Sequence, residues 1–327
     1  MRKNIRRAIS ILVVVIAAAL IWGYRHATDL EVARVTEDVN VIYGFGGNVG
    51  VLKTDRGAVV VDTMTFRAQG ARILELAEKY GGGPVQAVVN THYHRDHTHG
   101  NPAFPKGTPI VATEKTLAYL KQLDAGYWTG DAAGTLPNQT FRNEHELKVA
   151  DKTIRLIHPG RGHTDGDLVV LFVEDRVLHT GDLYFNGRYP NIDLEAGGSI
   201  REWVATIDRV LELDFDRVIP GHGPVTDREG LRAFQTFMRE LAEVGAQAVH
   251  NGWSLDDTER EAKLSADAGY EVMSIPFVMK LDRAFVVRRA WEEATGNVER
   301  IAVPGQEPER APIPTEMGLP KEMEVPR

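Results

Sequence analysis

The ten residues THYHRDHTHG at positions 91–100 form the densest polar stretch of this 327-residue chain. Four histidines and an aspartate fall within the eight positions from His92 to His99, directly after the apolar run VQAVV, which has the composition of a short strand. Burying so many imidazoles without partners would cost several kcal/mol, so these residues do not belong to an ordinary core. The stretch predicts chemistry on a loop that a rigid strand positions.

Three further blocks downstream carry the same kinds of side chain. His163 lies in the sequence GHTDGD, Asp182 in GDL and His222 in PGHG, each after a short strand or a tight glycine turn. A solvated polar loop at 91–100 would not explain these matching positions. Because the sequence contains no cysteine, any metal must be bound by imidazole nitrogen and carboxylate oxygen, both of which zinc accepts.

The order of these blocks resembles the metal-binding pattern of the metallo-β-lactamase superfamily, over residues 36–245. The resemblance implies an α/β fold of the αββα sandwich type, with the site at the edge between its two sheets. It also implies a dinuclear Zn²⁺ site of the glyoxalase II type, with iron or manganese left open as the metal. The implied ligands are His92, His94 and His163 for one metal, Asp96, His97 and His222 for the second, and Asp182 as the bridge between them.

The same resemblance implies an enzyme, a hydrolase that uses a zinc-bridged hydroxide to cleave an ester, thioester or amide-like bond of a small substrate. Asp96 would orient that hydroxide as the catalytic residue. Two alternatives stay open, a β-lactam hydrolase and a mononuclear iron oxidoreductase that acts on sulfur compounds. Asp182 stands where one group of lactamases has cysteine, and His94 stands where flavodiiron relatives have a carboxylate. Both positions favour a general zinc hydrolase.

Several residues close to the ligands are expected to support them. Asp62, at the end of an apolar strand, is expected to hold the histidine loop, with a simple turn cap as the alternative. Thr164 and Asp167 are expected to fix the turn around His163, and Tyr93 is open between packing and catalysis. Three more histidines are expected to pack or form hydrogen bonds rather than bind metal: His99, His158 and His179.

Strand patterns and helix patterns alternate along the chain, which is typical of the α/β class. The catalytic domain is predicted at 36–245, followed by a helical extension at 246–302. The last residues, 303–327, contain six prolines and few aromatic anchors, which predicts a disordered tail. The aperiodic stretch 124–143 is either a loop over the site or a surface loop whose aromatic side chains pack on the body of the protein.

Residues 1–27 are predicted to be a membrane anchor or a signal peptide. The 17 positions from Ala8 to Tyr24 carry no charge, which is the lower limit for a membrane span, and basic residues precede them. This pattern predicts an anchor in the inner membrane with the catalytic domain periplasmic or extracellular. Cleavage after the small residues 17–19 would give a secreted protein instead.

The charge distribution argues against nucleic acid as a partner. Five of the 38 lysines and arginines lie before residue 26, so the rest of the chain, with 46 acidic residues, carries a formal charge of −13. A phosphate backbone requires a basic surface. The expected partner is therefore a small-molecule substrate, and the sequence leaves the oligomeric state open.

Overall fold

The computed structural model describes Gly23, Arg25 and residues 28–275, 279–298 and 301. The predicted anchor or signal peptide at 1–27 lies outside these residues apart from Gly23 and Arg25, and the predicted tail at 303–327 lies outside them entirely. Within the described ranges, no helix is long and apolar enough to cross a membrane. Both terminal predictions therefore stay predictions.

The first sheet contains seven strands in chain order. These are β1 (Glu31–Arg34), β2 (Val39–Tyr43), β3 (Val49–Thr54), β4 (Gly57–Val61), β5 (Val85–Val89), β6 (Ile110–Thr113) and β7 (Gln139–Phe141). Neighbouring strands from β1 to β4 are antiparallel, whereas β4 to β7 run parallel. Parallel neighbours require crossover connections. Helices supply them here: α1 (Arg67–Gly81), the single turn α2 (Arg95–Thr98) and α3 (Glu114–Leu123).

The second sheet contains five strands in the order β12, β11, β10, β9, β8. They are β8 (Glu144–Val149), β9 (Lys152–Ile157), β10 (Val169–Phe172), β11 (Val177–His179) and β12 (Arg217–Ile219). Only β11 and β12 pair in parallel, and helix α4 (Ile200–Leu211) lies in the connection between them.

Alternating side chains along the strands separate three apolar layers. In β4, Val59 and Val61 pack between the two sheets, whereas Ala58 and Val60 belong to the layer beneath α1. The outer face of the second sheet packs on α4 and on two later helices, α5 (Arg228–Asn251) and α7 (Arg283–Thr295), with α6 (Leu255–Glu261) between them in sequence. The architecture is the αββα sandwich that the sequence predicts.

Apolar runs in the sequence predict strands at 39–43, 58–62, 85–90, 109–112, 153–158, 168–173, 176–179 and 217–220. Four strands of the two sheets lie outside these runs: β1, β3, β7 and β8. β3 has the sequence VGVLKT, in which Gly50 and Lys53 interrupt the apolar pattern. Its pairing with β2 on one side and β4 on the other makes it a strand. β7 lies within 124–143, where the sequence has no periodicity. These strands depend on their neighbours more than on their own composition.

Helical spacing in the sequence after residue 224 predicts helices at 228–248, 254–268 and 279–295, and the structure differs from this pattern in two places. The helix predicted to end at Ala268 ends at Glu261, because the following backbone groups bond to side chains of other helices. Arg283 donates to the carbonyls of Ala262 and Leu264, and Glu240 accepts from the amides of Ser265 and Ala266. The second difference is a small antiparallel pair, β13 (Met273–Ile275) and β14 (Met279–Leu281).

The predicted boundary between catalytic domain and extension, at 245/246, falls inside α5, which runs without interruption from Arg228 to Asn251. The division into 36–245 and 246–302 stays a prediction. α5 and α7 share one apolar cluster with the second sheet, so the extension packs directly on the sandwich.

Candidate metal centre

The predicted ligands meet at one edge of the sandwich, where strands of both sheets end. β5 leads into the loop that carries His92, and β11 and β12 lead into the turns that carry Asp182 and His222. His163 lies on the connection between β9 and β10. Because β11 and β12 run parallel, their carboxyl ends lie at one edge of the second sheet, which brings Asp182 and His222 together.

The seven predicted ligands form two adjacent groups. In each group, one ligand atom per residue lies within 4.8 Å of the others. The first group contains His92, His94, His163 and Asp182, and the second contains Asp96, His97 and His222. The division of the histidines between the groups is the one that the family resemblance implies.

Asp182 lies between the two groups and turns one carboxylate oxygen toward each. Its Oδ2 lies 3.7 Å from His92 Nε2 and 3.6 Å from His163 Nε2. Its Oδ1 lies 3.2 Å from His97 Nε2 and 3.5 Å from His222 Nε2. This geometry suits the bridging role predicted for Asp182.

Three buried ligand atoms have no hydrogen-bond partner among the described residues: His92 Nε2, His97 Nε2 and Asp182 Oδ1. Buried polar atoms are nearly always satisfied, and an unsatisfied one costs about 1–3 kcal/mol. All three atoms belong to the two ligand groups and are of the types that bind divalent metals. The residues therefore fit a metal centre.

Asp62 supports the histidine loop from the end of β4, which confirms the role predicted for it. Its Oδ1 accepts from the amide of Thr91, and its Oδ2 accepts from the Thr91 hydroxyl and, at 2.7 Å, from His97 Nδ1. Asp62 is fully buried, with a φ of 65° in the left-handed region. The contact with Nδ1 leaves His97 Nε2 free to face the centre.

Two further supports come from residues that the sequence analysis missed. The Asn191 carbonyl lies 2.9 Å from His163 Nδ1, and Asp193 Oδ2 lies 3.0 Å from His94 Nε2. Tyr93, left open between packing and catalysis, donates its hydroxyl to Asp193. Asn191 and Asp193 lie in an irregular segment that has no sequence motif, so the sequence does not identify them as supporting residues.

The charges within the centre hold its histidines in different protonation states. Burial lowers the pKa of His163 to about 4, so its imidazole is neutral, the form that binds metals. Burial acts the same way on His222, but the carboxylates of Asp182 and Asp96 outweigh it and raise the pKa of His222 to about 9. Burial also opposes ionisation of Asp193, yet hydrogen bonds from His94 and Tyr93 hold its pKa below the usual range.

Two glycines allow the backbone to approach the ligands closely. A Cβ atom at Gly47 would lie 2.1 Å from His97 Cε1, and one at Gly221 would lie 2.0 Å from Asp182 Oδ1. Real Cβ atoms never approach so closely. Glycine at these two positions, in the β2–β3 turn and in the PGHG block, therefore leaves the space that His97 and Asp182 occupy.

The remaining neighbours behave as the sequence predicts. Asp167 accepts from the amide and hydroxyl of Thr164, which fixes the turn that follows His163, and burial raises the pKa of Asp167 to about 8. Three histidines bond to atoms other than the ligand set: His99 to Asp124, His158 to the Asp167 carbonyl and His179 to the Asn48 carbonyl.

The 124–143 stretch packs on the histidine loop through His99. The ring of Tyr127 stacks on His99 with centroids 3.5 Å apart, and its hydroxyl donates to the His99 carbonyl. Trp128 is buried and donates to Asp124. The aromatic side chains of this stretch therefore pack on the body of the protein, which favours the second of the two interpretations left open.

Residues 42–222, more than half of the chain, match the sequence profile of the metallo-beta-lactamase superfamily. The chain belongs to this superfamily. Its members in the comparisons are metal-dependent hydrolases, which makes this chain a metallohydrolase.

Three relatives show the breadth of the superfamily. A metallo-beta-lactamase type 2 of Bacillus sp. (strain 170) is 30% identical over 54% of this chain and 67% of its own length. The 2,4-dinitroanisole O-demethylase subunit alpha of Nocardioides sp. (strain JS1661) is 27% identical over 70% of this chain and 68% of its own. A linear primary-alkylsulfatase of Pseudomonas sp. (strain ATCC 19151) is 24% identical, and this chain spans about half of its length.

Solved structures support the fold. A metallo-beta-lactamase from Pontibacter korlensis superposes with a TM-score of 0.57 at 24% identity, over 64% of this chain and 99% of that one. At this identity the likeness establishes the sandwich and leaves the substrate open.

Proposed function

We propose that this protein is a zinc-dependent hydrolase that holds two metal ions and cleaves an ester, thioester or amide-like bond of a small substrate. The observation that carries the proposal is the pair of adjacent His/Asp groups whose buried ligand atoms lack partners among the described residues. The first group would hold one ion and the second group the other, with Asp182 between them. Iron or manganese would fit the same nitrogen and oxygen donors, so the choice of zinc rests on the superfamily.

Divalent ions held by these residues would supply Lewis acidity, which lowers the pKa of a water molecule and polarises the bond to be broken. The chain itself contributes a group that orients the water. Asp96 is the most exposed of the seven ligands, at 35%, and its Oδ2 lies 3.3 Å from His222 Nε2. Although burial opposes ionisation, the charges of His97 and His222 hold the pKa of Asp96 below the usual range, so the carboxylate is ionised and able to accept a hydrogen bond from the attacking water.

The β2–β3 turn offers an apolar surface beside Asp96. Gly47 donates its amide to the Asp96 carbonyl, which fixes the turn against the centre. Phe45 in this turn is 48% exposed and stacks on Phe66, 44% exposed, with centroids 6.0 Å apart. Exposed aromatic pairs next to a polar site are typical of ligand contacts. The pair supports a substrate with an apolar group next to the bond that is cleaved.

β-Lactam hydrolysis remains the second candidate. The similarity to metallo-beta-lactamases favours it, whereas Asp182 in place of cysteine favours the general hydrolase. A mononuclear iron oxidoreductase is the third, and the presence of two complete ligand groups argues against it. The O-demethylase and alkylsulfatase relatives break ether-type and sulfate ester bonds by their names, so aryl ether and alkyl sulfate substrates belong in the same test.

The test compares turnover of five substrate types by the zinc-loaded protein: a thioester, an aryl ester, a chromogenic β-lactam, an alkyl sulfate and an aryl ether. We expect metal-dependent cleavage of the thioester or ester, with Asp182→Ala losing bound metal and turnover together. Asp214→Ala is the matched control, since Asp214 is 79% exposed and pairs with Arg176 on the surface. Full metal content and turnover in Asp182→Ala would overturn the proposal. Preference for the lactam, at kcat/KM on the order of 10⁴ M⁻¹s⁻¹ or more, would replace it with the second candidate.

We also propose that residues 1–27 place the catalytic domain on the periplasmic or extracellular side, on the basis of the charge and hydropathy pattern. The full-length protein is expected in the membrane fraction after a high-salt wash. A shortened soluble chain would show that the segment is a cleaved signal peptide, and an unshortened soluble chain would contradict the proposal.

A further inference from the structure

The C-terminal helix α7 contacts the segment that supports His94 and His163. Residues 191–199 contain neither helix nor strand, so their position depends on the groups that they contact. Two residues of this segment hold His163 and His94, as described above. Helix α7 supplies two charged side chains to the same segment, Arg289 and Glu293.

Arg289 holds the beginning of the segment. Its Nε donates to the Ile192 carbonyl at 2.9 Å, and Ile192 is the residue between the two that support the histidines. Its two terminal nitrogens donate to the Glu195 carboxylate, and Nη1 also donates to Glu292 at 2.7 Å. The Arg289 side chain is 11% exposed. A planar guanidinium that bonds in three directions fixes its acceptors in one arrangement, which a flexible ammonium does not.

Glu293 holds the other end of the segment. Its carboxylate accepts from the Ser199 hydroxyl at 2.6 Å and from the Ile200 amide at 2.8 Å, at the beginning of α4. Ile192 and Leu194 also pack in the apolar cluster that contains the buried face of α7. The helix therefore fixes both ends of 191–199 and packs on its middle.

We propose that Arg289 is a positioning residue of the metal centre, acting through the Ile192 carbonyl on the supports of His163 and His94. The inference rests on the proposed function, because it assumes that the first ligand group binds a metal ion. Without the guanidinium, the Ile192 carbonyl and the Glu195 carboxylate lose their shared donor. Asn191 and Asp193 then no longer hold the two histidine rings in one orientation.

The proposal predicts an effect on one ligand group and not on the other. Asp62 supports His97 from the first sheet and makes no contact with 191–199 among the described residues. We therefore expect Arg289→Met to weaken binding of the ion held by His92, His94 and His163 by about tenfold, the lower end of the range for outer supports of metal ligands. Binding of the ion held by the Asp96 group is expected to stay unchanged.

The experiment titrates the metal-free full-length protein with Zn²⁺ against a chromophoric chelator and resolves the two binding steps. It compares wild type, Arg289→Met, Arg289→Lys and Arg288→Met, the last being the matched control because Arg288 is exposed on the same helix. The Co²⁺-substituted proteins are compared by their visible absorption, which reports ligand geometry and not stability. We expect a weakened first step and an altered spectrum in Arg289→Met, partial recovery in Arg289→Lys and wild-type behaviour in Arg288→Met.

A second variant keeps the inference testable if Arg289→Met does not fold. Glu195→Gln retains the size of a side chain that is 43% exposed while it removes one charge from the Arg289 contact, and a smaller weakening of the same step is expected. If wild type binds two ions and these variants match Arg288→Met in both readouts, the inference is wrong and the proposed function stands. If wild type binds no metal, both fail.

Discussion

The two sides of the metal centre are supported by different kinds of structure. His97 is held by Asp62, which lies at the end of a central strand, is fully buried and also bonds the first residues after β5. His94 and His163 are held by 191–199, which contains no regular structure and depends on contacts with the C-terminal helix. One side is thus part of the core of the sandwich, whereas the other is a segment without regular structure that is held by backbone bonds to the loop around His163 and by side chains of α7.

Because of this difference, we expect substitutions on the two sides to have different effects, one mainly on the free energy of unfolding and the other mainly on metal affinity. A change on the Asp62 side leaves several buried polar groups unsatisfied, which lowers the free energy of unfolding of the whole protein. A change on the 191–199 side loosens a segment without regular structure, so we expect it to lower the affinity for the metal more than the free energy of unfolding.

The largest effect is expected from Asp62→Ala. The substitution removes the acceptor of the Thr91 amide, the Thr91 hydroxyl and His97 Nδ1 in a site that water does not reach, and it places alanine at a φ of 65°. Breaking a buried charged pair costs about 3–5 kcal/mol, and we expect a loss of this size in the free energy of unfolding measured with urea. Asp62→Asn is the control, since asparagine tolerates the left-handed region and retains one acceptor; equal losses in both variants would contradict the account.

Gly221→Ala is expected to reduce turnover about a hundredfold or more. A Cβ there would lie 2.0 Å from Asp182 Oδ1, so the carboxylate between the two ligand groups must move, and a displacement of about 1 Å at a reacting centre has an effect of this size. Steady-state kinetics and metal content are the measurements. Gly134→Ala is the matched control, because nothing lies within 4 Å of the added atom. Wild-type kinetics in Gly221→Ala would show that Asp182 has room to shift without consequence.

Asp193→Asn is expected to weaken zinc binding by roughly tenfold to a hundredfold while the free energy of unfolding changes by only about 1 kcal/mol. The amide retains the shape of the side chain but no longer balances the charge on His94. Chelator competition gives the zinc affinity, and urea unfolding of the same preparation gives the free energy of unfolding. The opposite pattern, with a large loss of stability and unchanged affinity, would remove the distinction between the two sides.

The smallest effect concerns the pH dependence of the metal-free protein. The pKa of His222 is raised to about 9, so its stabilising contribution is present below about 6.5 and is lost as pH rises through 9. The pKa of His163 is lowered to about 4, so the unfolded chain takes up its proton first and stability falls as pH drops from about 6.5 to 4. We expect thermal unfolding to show both slopes, with His222→Ala reducing the alkaline one and His163→Ala the acidic one. Slopes of the reverse sign would contradict these protonation states.

The four blocks that carry the predicted ligands stand out in the sequence because short runs of rare residue types follow strand ends, and the structure brings them into two groups. The α/β class followed from the alternation of strands and helices, and the αββα sandwich from the family resemblance; the structure agrees with both. β3 and β7 were missed because pairing with neighbours, and not their own composition, makes them strands.

Asn191 and Asp193 could not be predicted for a related reason. They lie about thirty residues from His163 and about a hundred from His94 in the chain, within a segment that has no periodicity. Tertiary contacts bring them to the centre, both from α7 and from backbone bonds to the loop around His163. Asp62, by contrast, directly follows an apolar strand and matches a position that supports the histidine loop in the superfamily.

Metal content measured by elemental analysis tests the central claim most directly, in wild type, His163→Ala and His222→Ala. Each substitution removes one ligand from a different group. The account predicts close to two zinc ions per chain in wild type and close to one in each variant, with the remaining ion in a different group each time. Wild-type metal content in both variants would show that these groups are not where the metal binds.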